Sequence, residues 1–310
     1  MINDDALVAH LARAVQDLAQ VRWPWLLAGL VLQTLSLGLR ATAWRNIIAA
    51  AYPDRRVPRL GIGAAYVLGV AANGVFPAKV GEVAKVAVAR LQVERSETSA
   101  LVASLGVLSG FDLLVGTVIT LAVVLSGVVP GLAPSAMLSA PQWALPGLAA
   151  ALLVVLVASR SRWGRAGLRR LMVGVSSSLA IVRTPRAYLT RVAIPQTLAW
   201  FCRIGVAASL LAAFGLHPSI ASAAVIVVAG GLAGLLPGTP GGLGPQQILL
   251  VYALGATAAA DKIVAFSVGM QLSVMALQLV LGTAALMIAV RIAHPLRAFR
   301  TASVLVRPPT

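Results

Sequence analysis

Asn73-Gly74-Val75-Phe76-Pro77-Ala78-Lys79-Val80-Gly81-Glu82-Val83-Ala84-Lys85 is the stretch on which the fold turns. An apolar run over 60–75 leads into it, breaks at Phe76-Pro77, and resumes as a helical stretch to Arg90 that carries Lys79, Glu82 and Lys85. Proline fixes its own φ and pushes the preceding residue out of the helical region, so a helix has to stop here. Neither arm comfortably reaches the roughly 20 residues that a membrane span needs. A second interruption lies at Pro237-Gly238-Thr239-Pro240-Gly241-Gly242-Leu243-Gly244-Pro245, between an apolar run over 219–235 and a short helical stretch over 246–255. In both, a proline is followed four residues later by glycine: Pro77 by Gly81, Pro240 by Gly244.

The rest of the chain makes the bilayer its solvent. Of 310 residues, 59% are hydrophobic and only 11% charged, against about 25% charged in a soluble domain. Apolar runs near spanning length cover 23–46, 98–128, 143–158, 192–214 and 263–290, and 159–191 is an arginine-rich loop with no acid. Ahead of them, Leu7, Val8, Leu11, Val15, Leu18 and Val21 recur at helical spacing among polar residues, the pattern of a helix lying in the interface. The sequence thus divides into an interfacial helix over 1–22, a transmembrane domain over 23–290 and a basic tail over 291–310. Asp4 and Asp5 stand where a secretory signal has its basic residues, so none is expected.

The net charge of +16 follows from membrane topology rather than from a nucleic-acid partner. If both broken segments return to the side they enter from, 21 of the 25 lysines and arginines fall on one side. The excess of positive residues marks the cytoplasm, which sets the N-terminus outside and the C-terminus inside an inner (plasma) membrane. The first hairpin then enters from the cytoplasm and the second from outside. Two halves of inverted topology with broken helices are a transporter pattern.

Several chemistries are excluded. One cysteine, Cys202, and three scattered histidines, His10, His217 and His294, offer no metal cage and no nucleophile–base pair. No Gly-rich nucleotide loop is present. The expectation is a protein that is not an enzyme, with no cofactor and no metal.

The breaks carry the candidate site. A helix beginning after each would aim backbone amides and its positive dipole end into a region of little water, favouring an anion. Gly81, Gly241, Gly242 and Gly244 would let a head group approach the backbone, with Lys79, Glu82 and Lys85 adding charge on the first helix. The glycines equally suit tight helix packing, and Glu82 with its lysines equally suits an internally paired cluster. Further polar residues at membrane depth are Asn73, Asp112, Arg203, Gln247 and Gln271. Asp112 needs a partner, for which Arg203 is the nearest match in depth; Arg40 and Arg45 are read as snorkelling at the end of the first span. Gln271 and Gln278, on one face of the last helix, suit a groove lining or an interhelical hydrogen bond.

The two Pro-x-x-x-Gly stretches, 73–85 and 237–244, resemble the lysylphosphatidylglycerol synthase transmembrane family over about 22–290. That resemblance implies a flippase-like membrane domain that moves a modified lipid between leaflets. Some members carry a cytoplasmic aminoacyl transferase; no such domain is expected here, so synthase activity is not implied. The chain departs from the family pattern at Leu108 and Ser109, where a Glu-Arg pair is usual, at Gln247 in place of glutamate, and at Gln271 in place of arginine.

The reading is therefore an all-α polytopic membrane protein of two inverted repeats with re-entrant broken helices, translocating a phosphate-bearing or modified lipid with an anionic head group. The alternative is a non-transporting anchor or regulator of a lipid-modifying enzyme or glycosyltransferase, recruited through the arginine-rich loop. A homo-oligomer is one assembly this architecture admits.

Overall fold

In the computed structural model, the residues described are 21–76, 80–127, 181–182, 184–234, 242, 244–255 and 257–305, with side chains to Arg291. They form eight helices and no strand. These are α1 (Trp23–Ala51), α2 (Arg59–Val75), α3 (Val80–Gln92), α4 (Thr98–Leu125), α5 (Pro185–Ala213), α6 (Ile220–Ala233), α7 (Pro245–Leu254) and α8 (Ala260–Leu305). Four of them, α1, α4, α5 and α8 from Ala260 to Arg291, are long and apolar enough to cross a membrane. The chain is an all-α polytopic membrane protein. The interfacial helix and the apolar run over 143–158 lie outside the described residues.

Local chemistry sets the boundaries. α2 stops because Phe76, immediately before Pro77, is extended at φ −99° and ψ 138°, as the proline ring requires of its predecessor. α6 opens on Ser219, whose hydroxyl accepts the Ser222 N–H at 3.0 Å, a serine N-cap. α7 opens with Pro245 at its first position, where the missing N–H has no helical partner to lose.

Three helices run beyond their expected limits, α1 among them, to Ala51. α5 begins at Pro185, inside the stretch read as loop, and passes through a π-helical turn at Leu189–Ala193 just before Pro195. Pro195 has no N–H for the Arg191 carbonyl one turn earlier. The Asn46 side-chain amide of α1 supplies that hydrogen instead, at 2.8 Å. The backbone of α8 stays helical to Leu305, through the basic stretch at its end.

The chain divides into two compact units, and each long membrane helix contributes to both. One combines the described parts of Gly38–Asp112, Pro141–Gln196 and Gln278–Thr310. Its core holds the fully buried Trp44, Tyr66, Ile47, Ile48, Ile62 and Leu101. Trp44 donates its indole N–H to Ser104 Oγ at 2.9 Å, and Gln196 donates to the Leu108 carbonyl at 3.1 Å. Such pairing is needed where no water can satisfy a polar group.

Within that unit α2 and α3 pack as an antiparallel hairpin on small residues. A Cβ at Gly61 would stand 2.9 Å from Gln92 Cδ, one at Gly69 would overlap the Lys85 stem, and one at Gly81 would overlap the Gly69 carbonyl oxygen. The register places Ala65 opposite Ala89, both wholly buried. α8 joins α2 the same way: a Cβ at Gly282 would overlap Ala71, and Gln278 Oε1 lies 2.6 Å from where one at Gly74 would be. Small residues that let backbones approach are the usual means of helix association in lipid.

The other unit combines the described parts of Met1–Leu37, Leu113–Ala140 and Thr197–Leu277. Leu210, Leu211, Leu250, Ile263 and Phe266 are buried in it. Phe214 and Phe266 meet edge to face at 5.9 Å. Ser36 Oγ donates to the Ala199 carbonyl at 3.1 Å.

Candidate functional site

The start of α3 is held by Asn73. Its side-chain oxygen accepts the Gly81 N–H at 2.8 Å, and its amide nitrogen donates to Glu82 Oε1 at 3.1 Å. The same carboxylate oxygen takes the Lys85 ammonium at 2.7 Å. Sequence spacing puts Glu82 and Lys85 on one helix face; the hairpin adds Asn73 as their third member. Glu82 also lies in the first turn of α3, where a negative charge complements the helix dipole.

Lys85 does not point to solvent. Its stem passes the bare backbone of Gly69, its side chain is only 7% exposed, and its ammonium stands 4.7 Å from the centroid of the buried Tyr66 ring. The partner carboxylate is far more open, at 41%. A cation over an aromatic face is attracted by the ring quadrupole, which offsets part of its desolvation.

Tyr66 ties this pair to a second one. Its hydroxyl accepts the Arg40 Nε–H at 2.8 Å, and Arg40 Nη2 is ion-paired with Asp112. Arg40 thus does not snorkel as expected from its place near the end of the first apolar run: α1 continues to Ala51, which brings Arg40 closer to the middle of the helix. Asp112, close to the midpoint of α4, has Arg40 as a partner. Arg203, which depth alone had matched to Asp112, stacks over the Trp200 ring at 4.4 Å.

The result is one connected set from four helices: Asp112, Arg40, Tyr66, Lys85, Glu82, Asn73 and the Gly81 amide. Two cations and two carboxylates balance. From sequence Arg40 was read as snorkelling rather than as part of the site, and Tyr66 was not singled out. The available signal for Arg40 was that Asp112 requires a countercharge; Tyr66, within an apolar run, carries none.

The second break is built with a neutral side chain. Gly242 and Gly244 adopt φ of +80° and +91°, which side chains rarely tolerate. The Gly244 N–H donates to Gln247 Oε1 at 2.7 Å, while Gln247 Nε2 is buried with no partner among the described residues. A Cβ at Gly230 would lie 3.5 Å from Gln246 Nε2. Gln271 lies on α8 and is engaged in an interaction of its own. Lys79 and Gly241 lie outside the described residues.

At both tips, then, a glycine amide expected to be free for an anion is met by the oxygen of a neutral side-chain amide, Asn73 or Gln247. No group of three or more histidine, cysteine or acidic residues that could hold a metal occurs among the described residues.

The family model for the lysylphosphatidylglycerol synthase TM region matches residues 6–282. The chain belongs to that family. The match takes in both breaks, the charged cluster and most of the segment read as an interfacial helix. No curated protein and no solved structure matches significantly.

Proposed function

We propose that this member of the lysylphosphatidylglycerol synthase TM region family is a lipid translocase, moving a phosphate-bearing lipid between the leaflets of a bacterial inner membrane. The observation that carries the proposal is a hairpin of short helices, set among spanning ones, that bears an ion pair with a buried lysine. At 1.5 Å per residue the 13 residues of α3 and the 10 of α7 reach only about 20 and 15 Å across a hydrocarbon layer of about 30 Å. Helices of that length are compatible with re-entrant arms, inserted from opposite sides in two inverted repeats. Ionisable residues at such depth are functional by default.

In this reading the head group rests against the start of α3 while the acyl tails stay in the bilayer. Its phosphate oxygens take the place of the Asn73 side-chain oxygen at Gly81. Lys79 and Lys85 neutralise it, and Glu82 holds Lys85 until it arrives. Rocking of one repeat exchanges leaflet access. No covalent step is assigned, and neither a cofactor nor a metal is required.

The test is leaflet exchange of a labelled anionic lipid in reconstituted vesicles. Wild type accelerates it, and Lys79→Ala and Glu82→Gln abolish it. Absence of exchange with every anionic and polyprenyl lipid tried would overturn the proposal in favour of a membrane anchor for a lipid-modifying enzyme or glycosyltransferase.

A further inference from the structure

We infer that the Arg40–Asp112 pair, with Tyr66, is a carboxylate-gated phosphate site: Asp112 occupies Arg40 in the resting protein, and a phosphate group binds by taking its place. This rests on the translocase reading, and adds to it a second contact for the head group away from the helix tips.

The argument starts from what a buried arginine can do. Its guanidinium is a fixed fork of donors suited to carboxylate or phosphate oxygens. Here Nε is committed to the Tyr66 hydroxyl and Nη2 to Asp112. The tyrosine thus fixes the plane of the fork, while the edge that holds Asp112 is the one able to exchange one oxyanion for another. Both members of the pair keep about a fifth of their side-chain surface exposed, at 19% and 20%. They are reachable, unlike Trp44 and Tyr66 behind them.

A second cation converges on the same tyrosine. The Lys85 ammonium faces the Tyr66 ring while Arg40 holds its hydroxyl. Each cation has one acidic partner, Glu82 or Asp112. An arriving phosphate that replaces a carboxylate keeps the cation paired throughout, and the charge left over is the displaced carboxylate, which at Asp112 and Glu82 is the member of its pair with the more exposed side chain, 20% and 41%. A pair that served only to pin α1 to α4 would gain nothing from this partial exposure or from a second cation meeting the same ring.

The exchange has a sign that a purely structural bridge lacks. If Arg40 is free of Asp112 in only about 1–10% of molecules, its apparent affinity is reduced by that fraction, and neutralising Asp112 tightens phosphate binding about 10- to 100-fold. Removing Arg40 acts the opposite way.

The experiment uses the full chain in a non-ionic detergent and measures equilibrium binding of a short-chain phosphatidylglycerol, with inorganic phosphate in a parallel arm. Asp112→Asn is expected to bind at least tenfold more tightly than wild type, and Arg40→Gln at least tenfold more weakly. The double variant Arg40→Gln/Asp112→Asn removes both charges of the pair together, so it reports on binding even where a single variant unfolds; it too is expected to lose affinity. Tighter binding of the lipid than of phosphate alone assigns the site to a head group; equal binding assigns it to free phosphate.

Weaker binding by Asp112→Asn, or wild-type affinity in the double variant, would overturn the inference. Leaflet exchange measured on the same wild-type preparation separates this result from the translocase reading. Exchange without the predicted order of affinities sinks the gated site alone; the predicted order without exchange keeps the site and sinks the translocase.

Discussion

Substituting Gly81 by alanine adds one methyl group at the tightest point of the α2–α3 hairpin. That methyl would overlap the Gly69 carbonyl oxygen and stand 2.5 Å from Asn73 Oδ1, the acceptor of the Gly81 N–H. A backbone carbonyl inside a helix cannot rotate away, so the hairpin has to open. Overpacking of this kind costs about 1–3 kcal/mol, and loss of the Asn73 hydrogen bond about 0.5–1.5 kcal/mol more. Alanine returns up to about 1 kcal/mol through its helix propensity. Gly63, on α2, provides the control: nothing lies within 4 Å of its added Cβ, so Gly63→Ala gains the propensity without the clash. The two variants are expected to differ by about 1.5–4.5 kcal/mol, with Gly81→Ala the less stable. Denaturant titration in detergent micelles, followed by far-ultraviolet circular dichroism, measures the difference. Equal midpoints would refute the close packing of α2 on α3, and with it the placement of Asn73 and Glu82 at the helix start.

Ser104→Ala orphans the buried Trp44 indole N–H and is expected to cost about 1–3 kcal/mol, read as a fall in unfolding midpoint that the more exposed Ser99→Ala does not share. Asn46→Ala exposes the Arg191 carbonyl that Pro195 leaves unpaired, at about 1 kcal/mol. In a Pro195→Ala background that penalty shrinks, because residue 195 regains an N–H; a double-mutant cycle gives the coupling, and additivity would contradict the assignment. Gly244→Ala meets no neighbour within 4 Å, yet its φ of +91° makes it costly by about 1–3 kcal/mol. A Gly244→Ala variant as stable as wild type would show that the second break can relax.

The helices and their interruptions were legible because each follows from a local rule. Apolar runs of spanning length announce α1, α4, α5 and α8, and Pro77 dictates the end of α2 without reference to anything distant. The pairing of Glu82 with Lys85 was legible for the same reason, being three residues apart on one helix. Arg40 with Asp112 was not. Their partnership depends on how α1 meets α4, and on α1 continuing past Asn46 to Ala51, which alters the depth of every residue along it. Matching by depth offered Arg203, which stacks on Trp200, and gave no sign of Arg40. The Asn73 and Gln247 contacts were hidden differently: a helix start displays free amides in the sequence, and only the fold reveals which side chain reaches back to cover them. Pro195 was visible, but not that α5 would carry on through it with a π-helical turn and a borrowed donor.

The ion cluster gathered from the hairpin, α1 and α4 has an electrical consequence. Arg40, Lys85, Glu82 and Asp112 sum to zero, so carrying these four side chains together along the membrane normal does no net work against the transmembrane voltage. One unbalanced charge taken through the whole field would cost or yield about 2.3 kcal/mol per 100 mV. Among these four groups the voltage therefore acts only on a change in the balance, such as a head group arriving with its own charge.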